Sequence, residues 1–422
     1  MGSFRYRFLA GALLLLLTAG CAEEQAAASP VTTLVPPLQA TAVPTPTPVI
    51  ERDYAVGDSG GDVYAFKLRL QYLGYFLEDA ELSDSVSKLT LKRVNLLLTD
   101  NGMEPVDVIT TEIQAMIFGD DSLAAVPTPT PSPTPRPLVA PTGSPELPAL
   151  DAEGFLAGAD GEYVYADEAD GLWIYISNTL YIGIRRYEDA EEKNVWFETE
   201  VITRGDERIQ SFHEDTMKVY QTPVAIARAN GAVLAFTDDF FTKRDYGVII
   251  RDGEVIRDKR RSSTSAYPLG DTLAILADGT MQACDYWEYD AADFLEMGAV
   301  QVLSFGPWLI RDGEINPLLL TGDYMQYHEP RCALGMIEPG HYFILTVDGR
   351  YTGAVGAYIG WLAERMKEVG VTEAINLDGG GTTALVFMGE QISRASAANT
   401  DGTEARRVCS LLGFGISDAV TE

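Results

Sequence analysis

The sequence predicts an α+β (mixed α/β) protein in which a sheet-rich large domain with few helices follows a small helical module. Three observations carry this expectation. Apolar residues form short strand-like runs, as at Leu172 to Ile176 and Val300 to Leu303, far more often than they recur at helical spacing. The clearest helix is Ala354 to Val369, where Val355, Ile359, Leu362, Met366 and Val369 share one face and Gly370 stands at the C-cap position. Two proline-rich stretches bracket residues 53–120 and set them apart from everything after residue 150.

In chain order, residues 1–21 read as an export signal. Arg5 and Arg7 precede the apolar run Phe8 to Leu17, which is short for a membrane span, and Thr18-Ala-Gly-Cys21 follows. The segment resembles a bacterial lipoprotein signal, which implies a lipid on Cys21, a membrane anchor and an extracytoplasmic location. Residues 22–52 are a linker rich in Pro, Thr and Ala, and within residues 121–149 the run VPTPTPSPTPRP predicts a stiff polyproline II spacer. Between them, Gly57-Asp-Ser-Gly60, Leu70-Gln71 and Leu73-Gly-Tyr75 precede a second apolar helix around Thr90 to Leu98. These residues resemble a peptidoglycan-binding-like helical module at 53–120, so peptidoglycan is a candidate partner. Its leucines at helical spacing serve equally well as core.

Composition narrows the functional classes. The chain carries 62 Asp and Glu against 31 Lys and Arg, a formal net charge of -31, which disfavours nucleic acid and anionic lipid faces as partners. Hydrophobic residues make up 46% of 422 positions, too many for a mainly disordered chain, and the length exceeds one ordinary core. Beyond Cys21 there remain Cys284, Cys332 and Cys409, enough for one disulfide at most. Neither these nor His213, His328 and His341 stand at zinc-site spacings, so no metal or other cofactor is expected.

The most informative run is Glu373-Ala-Ile-Asn-Leu-Asp-Gly-Gly-Gly-Thr-Thr383. It reads as a strand ending in Asn376 and Asp378, then Gly379, Gly380 and Gly381, whose N–H groups are expected to converge on an anion as a nest, with Thr382 and Thr383 adding hydroxyls. No Lys-Ser/Thr pair follows the glycines and the spacing is not that of a dinucleotide fold, so nucleotide binding is disfavoured. A second strand, Tyr342 to Val347, ends in Asp348-Gly349-Arg350 just before the helix. A crossover through that helix is expected to bring both strand ends to one sheet edge.

Ala235-Phe-Thr-Asp-Asp-Phe-Phe241, VIIRDG at Val248 to Gly253, Phe305-Gly-Pro307, Arg331-Cys-Ala-Leu-Gly335, VDGR at Val347 to Arg350 and NLDGGGTT resemble, in this order along the chain, the blocks of the phosphodiester glycosidase family. The resemblance covers roughly Leu150 to Ile416. Thr237 and Asp238 stand where the family pattern has Asn-Gly, Cys332 where it has Thr, and Thr382 where Ser is more usual; Asp239 keeps the acidic position. The likeness implies a hydrolase acting on a sugar 1-phosphodiester of the N-acetylglucosamine type, hence a glycan or sugar-phosphate substrate. It places Asp378, Asp239 and Asp348 in the catalytic pool. Arg331 and Arg350, with Arg407 as a weaker third, suit a phosphate grip because guanidinium groups bind phosphate bidentately, and Asn376 suits the sugar. The alternative is a non-catalytic wall or glycan-binding lipoprotein on the same fold. A metal-dependent phosphoesterase lacks paired ligand spacings.

Overall fold

The computed structural model describes residues 52–78, 80–125, 148–158, 161–214, 217–260, 270–320, 327–394 and 405–420. The expected lipidation residue Cys21, the first linker up to residue 51 and the spacer at 126–147 lie outside them. Three sheets dominate. The largest runs β1 (Tyr163–Asp167), β2 (Leu172–Ile176), β3 (Leu180–Asp189), β4 (Asn194–Thr203), β15 (His341–Val347), β14 (Arg331–Glu338), β16 (Glu373–Asn376), β12 (Trp308–Arg311), β13 (Glu314–Ile315). A second has the order β10 (Met281–Cys284), β9 (Thr272–Leu276), β11 (Ala299–Ser304), β7 (Gly247–Arg251), β8 (Glu254–Lys259). The third is β18 (Glu390–Gln391), β17 (Leu385–Phe387), β6 (Ala232–Phe236), β19 (Ser410–Ile416), β5 (Gln210–His213).

The inner faces of all three sheets share one core, in which Ile182, Phe197, Val233, Leu273, Leu334, Ile375, Leu385 and Phe414 are fully or almost fully buried. Burying a side chain of this size is worth about 1.5–3 kcal/mol. The protein is therefore the sheet-dominated α+β fold read from the sequence.

The helices are α1 (Gly61–Tyr72), α2 (Lys88–Asp100), α3 (Thr111–Gly119), α4 (Pro223–Ala229), α5 (Ala291–Glu296) and α6 (Ile359–Val369). Their starts follow from side-chain caps: Ser87 and Thr90 form a capping box on α2, Asp290 and Asp293 one on α5, and Thr222 caps α4 with Pro223 in its first turn. Helix α6 ends at Gly370, which has φ 98, but begins later than its apolar repeat suggested. Upstream of it, Tyr351 bridges Ala354 and Ala357 pairs with Glu329, which holds this stretch extended. Gly356, at φ 96, packs with Glu329 where any β-carbon would collide.

Helices α1 to α3 share a second core with the β7–β11 sheet and α5. Across that contact Lys67 meets Glu296 at 2.5 Å with both side chains at or below 1% exposure, and Glu296 also accepts the Ser83 N–H. Helices α1 to α3 are fixed against the large domain by a buried charge pair. Cys284, Cys332 and Cys409 are all free and buried. Among the described residues no helix is long and apolar enough to cross a membrane, and no cluster of His, Cys, Asp and Glu is arranged to hold a metal ion.

Candidate active site

Strands β15 and β16 run parallel, are joined through α6 and emerge at one edge. Strand β14 lies between them, antiparallel to both, pairing Arg331 with Val347 and Ala333 with Asn376. The chain leaving β16 stays zipped to β14 beyond the strand: Leu377 N–H donates to Cys332 O at 2.9 Å, and Gly380 N–H to Pro330 O at 2.8 Å. Residues 380–382 then make one tight 3-10 turn.

These bonds correct the expected anion nest. The Gly380 N–H is used by Pro330, and the Gly379 N–H serves the Asp378 carboxylate. The glycines are required for what approaches them. A β-carbon on Gly379 would sit 2.6 Å from Pro330 O, one on Gly380 2.8 Å from Arg350 Nη2, and one on Gly381 2.9 Å from Arg406 Nη2. Two guanidinium groups thus lie directly on the glycine run, and Gly380 also needs its φ of 64.

Asp378 sits at the head of this turn. Its Oδ2 is 2.5 Å from the Thr382 hydroxyl. Burial raises its carboxyl above the usual range, while the Thr382 hydroxyl, the Gly379 N–H and the charges of Arg244 and Arg406 pull it back down. Arg244 is placed by stacking 3.7 Å above the Phe305 ring and donating to Phe305 O at 3.3 Å. Arg350 is steadied by Glu329 at 2.7 Å. One half-buried carboxylate with arginines around it is a local concentration of positive charge in a chain of charge -31.

The end of β6 buttresses the turn. Asp378 N–H donates to Asp238 O at 3.1 Å, and Thr237 Oγ1 donates to Thr382 O and accepts the Ala384 N–H. Thr237 therefore carries a structural bond at one of the positions departing from the family pattern. The Asp238 carboxylate accepts the Phe240 N–H and the Ser410 hydroxyl, and burial, with the adjoining Asp239 charge, pushes it up to about 7. Cys332 is wholly buried in the central core, and burial pushes its thiol up to about 12.

Several expected site residues lie elsewhere. Asp239 is fully buried and both its oxygens are engaged, one by Arg251 at 2.6 Å and the other by Ser304 N–H at 2.8 Å. Arg251 also binds Val302 O and is itself 1% exposed. Asp348 is 3% exposed, accepts the Arg394 N–H and the Tyr351 hydroxyl, and is pushed by burial up to about 7; it ties the loop after β18 to the end of β15. Asn376 is 1% exposed and donates to Gly306 O, so it braces the loop before β12 rather than facing solvent. Thr383 is fully buried. The Arg331 guanidinium turns to Ala357 O and Tyr327 O, and burial, with Arg350 close by, weakens its hold on its proton. The expected Arg407 is exposed, and the guanidinium on Gly381 is that of Arg406. Sequence reading missed Arg244, Arg406 and the Asp238–Ser410 contact. Only the adjacency of Arg406 to Arg407 hinted at any of them.

Residues 227–415 match the phosphodiester glycosidase family. Among curated proteins, the human N-acetylglucosamine-1-phosphodiester alpha-N-acetylglucosaminidase is 31% identical over 157 residues, covering 34% of this chain and 30% of that protein. The SPbeta prophage-derived uncharacterized protein YomE of Bacillus subtilis (strain 168) is 28% identical over 206 residues, 48% of this chain and 31% of that one. The chain spans about a third of the length of the curated relatives it matches. Among solved structures, the zebrafish N-acetylglucosamine-1-phosphodiester alpha-N-acetylglucosaminidase catalytic domain aligns with TM-score 0.45 and 20% identity, over 61% of this chain and 88% of that one. The glycine turn, the RCALG strand and the Asp238 loop all fall inside the residues that match the phosphodiester glycosidase family.

Proposed function

We propose that the large domain is a hydrolase that cleaves a sugar 1-phosphodiester, of the N-acetylglucosamine 1-phosphodiester kind, into the free sugar and a phosphomonoester. The observation that carries this reading is Asp378 flanked by Arg244 and Arg406 beside a glycine turn on which Arg350 also lies. Arg350 and Arg406 hold the phosphate oxygens, and Arg244 balances the charge that builds as the bond breaks. Water attacks C1 and gives its proton to Asp378. The C1–O bond breaks through an oxocarbenium-like state, and its electron pair leaves on the phosphomonoester. That leaving group has a second pKa of about 6, so it departs near neutral pH without strong acid assistance. Asp239, Asp348, Asn376 and Thr383 shape the walls of the site without touching substrate. Phosphomonoester release from an N-acetylglucosamine 1-phosphodiester by the full chain tests the reading, and absence of release across a panel of aglycones would sink it.

The full engagement of Asp239 by Arg251 and Ser304 favours one second reading, a glycan-binding lipoprotein that holds the same ligand without turnover. Saturable binding without product would select it.

We further propose that the protein is lipidated at Cys21, anchored on the outer face of a membrane, and directed to peptidoglycan by residues 53–120. Support comes from the signal-like N-terminus and from Tyr64, Leu68 and Tyr72, which lie four residues apart and exposed on α1. Failure of the full chain to sediment with purified peptidoglycan would remove the wall partner, and a Cys21→Ser chain that still partitions with membranes would remove the lipid.

A further inference from the structure

The outer face of the nine-stranded sheet is covered by α6 chiefly over its β12 to β16 portion, where Leu362, Ala363 and Met366 pack with Ala333, Leu345 and Ala374. Over β3 and β4 it opens into a cavity of about 380 Å³, bounded by the end of α6 and by residues 153–155. This volume falls in the range of small-molecule sites, roughly 300–1,000 Å³. The cavity is built row by row from the strand register. Gly183 lies opposite Glu200, which lies opposite Phe343; the next row pairs Arg185 with Glu198. Tyr181 and Tyr187 close the β3 side at either end.

Gly183 gives the floor its shape. A β-carbon there would lie 2.4 Å from the Tyr181 hydroxyl oxygen, so the Tyr181 ring reclines along its own strand over the glycine instead of standing off the sheet. A reclining ring presents its face. At the far end Tyr187 is braced by parallel stacking on Trp196, with centroids 5.3 Å apart, and Trp196 is braced edge-on by Trp361.

The polar groups of the floor are held in place and charge-compensated. Glu198 is fixed by Arg365 at 2.6 Å and by the Trp196 indole at 2.9 Å, and Glu200 by the His341 imidazole at 2.8 Å. A carboxylate offers about four acceptor sites, so Glu198, with two donors, accepts further ones. Arg185 supplies donors opposite them. Fixed aromatic faces suit the C–H faces of a pyranose through their negative quadrupole, and compensated carboxylates suit hydroxyl donors. A polyanion would meet the carboxylates and the overall charge of -31, and a simple cation would find them already paired.

We propose that this groove is a second, non-catalytic site for a neutral saccharide, separate from the glycine turn. Strand β15 connects the two regions: Phe343 lies in the groove and Asp348 just past the strand's end, about 17 Å further along at ~3.3 Å per residue. A glycan bound here would extend along the same sheet that carries the glycine turn at its edge.

Isothermal titration of the full chain with N-acetylglucosamine, chitobiose, cellobiose and maltose tests the proposal. At least one sugar should bind saturably, with Kd of about 0.1–5 mM, a range ordinary for weak polar sites. Affinity should fall at least roughly tenfold in Tyr187→Ala and in Glu200→Gln, the loss expected for one stacking face or one charge-assisted hydrogen bond. It should persist in Asp378→Asn. No saturable heat up to about 20 mM, or binding lost in Asp378→Asn while unchanged in both groove variants, would overturn it. The thermal midpoint of each variant, set against the parent, is its folding control, and Glu200→Gln, being nearly isosteric, tests the site without removing a packed ring.

Discussion

The guanidinium of Arg406 occupies the space that a side chain on Gly381 would claim, with Nη2 2.9 Å from the ideal β-carbon position. The obstacle is the tip of a flexible side chain, so Gly381→Ala should fold normally and push Arg406 off the turn. A lost charge-assisted contact of about 1.5–3 kcal/mol corresponds to a fall of roughly 10–100-fold in kcat/KM. At Gly379 the obstacle is the Pro330 carbonyl at 2.6 Å, which is backbone. Gly379→Ala should therefore lower the thermal midpoint, by the equivalent of about 1–3 kcal/mol. Melting and kinetic measurements on the two variants distinguish these outcomes.

Asp239 separates a structural from a catalytic role. Removing it leaves Arg251 buried and unpaired, which costs about 3–5 kcal/mol. Asp239→Ala should show a markedly lower denaturation midpoint. A variant as stable as the parent and wholly inactive would instead mark Asp239 as a participant in the chemistry.

Asp348 should make stability depend on pH. Its folded-state value is raised to about 7 by burial, so the folded protein binds this proton more tightly than the unfolded chain. The contribution is fully present below the unfolded value near 4, and is lost as pH rises through about 7. Asp348→Asn keeps an acceptor for the Arg394 N–H and cannot ionise. Relative to the parent it should gain roughly a few kcal/mol between pH 5 and pH 8, readable as thermal midpoints across that range.

Lys67 and Glu296 tie the helical residues to the large domain. Either Lys67→Met or Glu296→Leu alone should lose about 3–5 kcal/mol, whereas the two combined should recover most of it. A double-mutant cycle by chemical denaturation measures the coupling, and additive losses would contradict it.

The legible parts of this protein are those governed by local pattern. Alternation and apolar runs gave the strands at Leu172–Ile176 and around Val300, and Gly370 marked the end of α6 because a left-handed cap favours glycine. The meeting of the β15 and β16 ends at one edge was also readable, although the strand between them was not, since β14 reaches its place by long-range pairing. The glycine triplet announced that no β-carbon fits there. What fills the space, Arg350 and Arg406, comes from segments 29 or more and 25 or more residues away, and spacing says nothing about such approaches. Asp239 and Asp378 look alike as acids beside a turn. Only the fold decides that Asp239 points into Arg251 while Asp378 stays partly open. Arg406 and Arg407 differ by one position, and in an extended segment neighbours face opposite ways.

The decisive measurement is the rate of phosphomonoester release from an N-acetylglucosamine 1-phosphodiester by the parent chain and by Asp378→Asn, each confirmed folded by its thermal midpoint. Loss of at least roughly a hundredfold in kcat, as expected for removing a group that exchanges a proton with the reacting water, is the predicted result. Equal turnover by the two proteins would contradict the assignment.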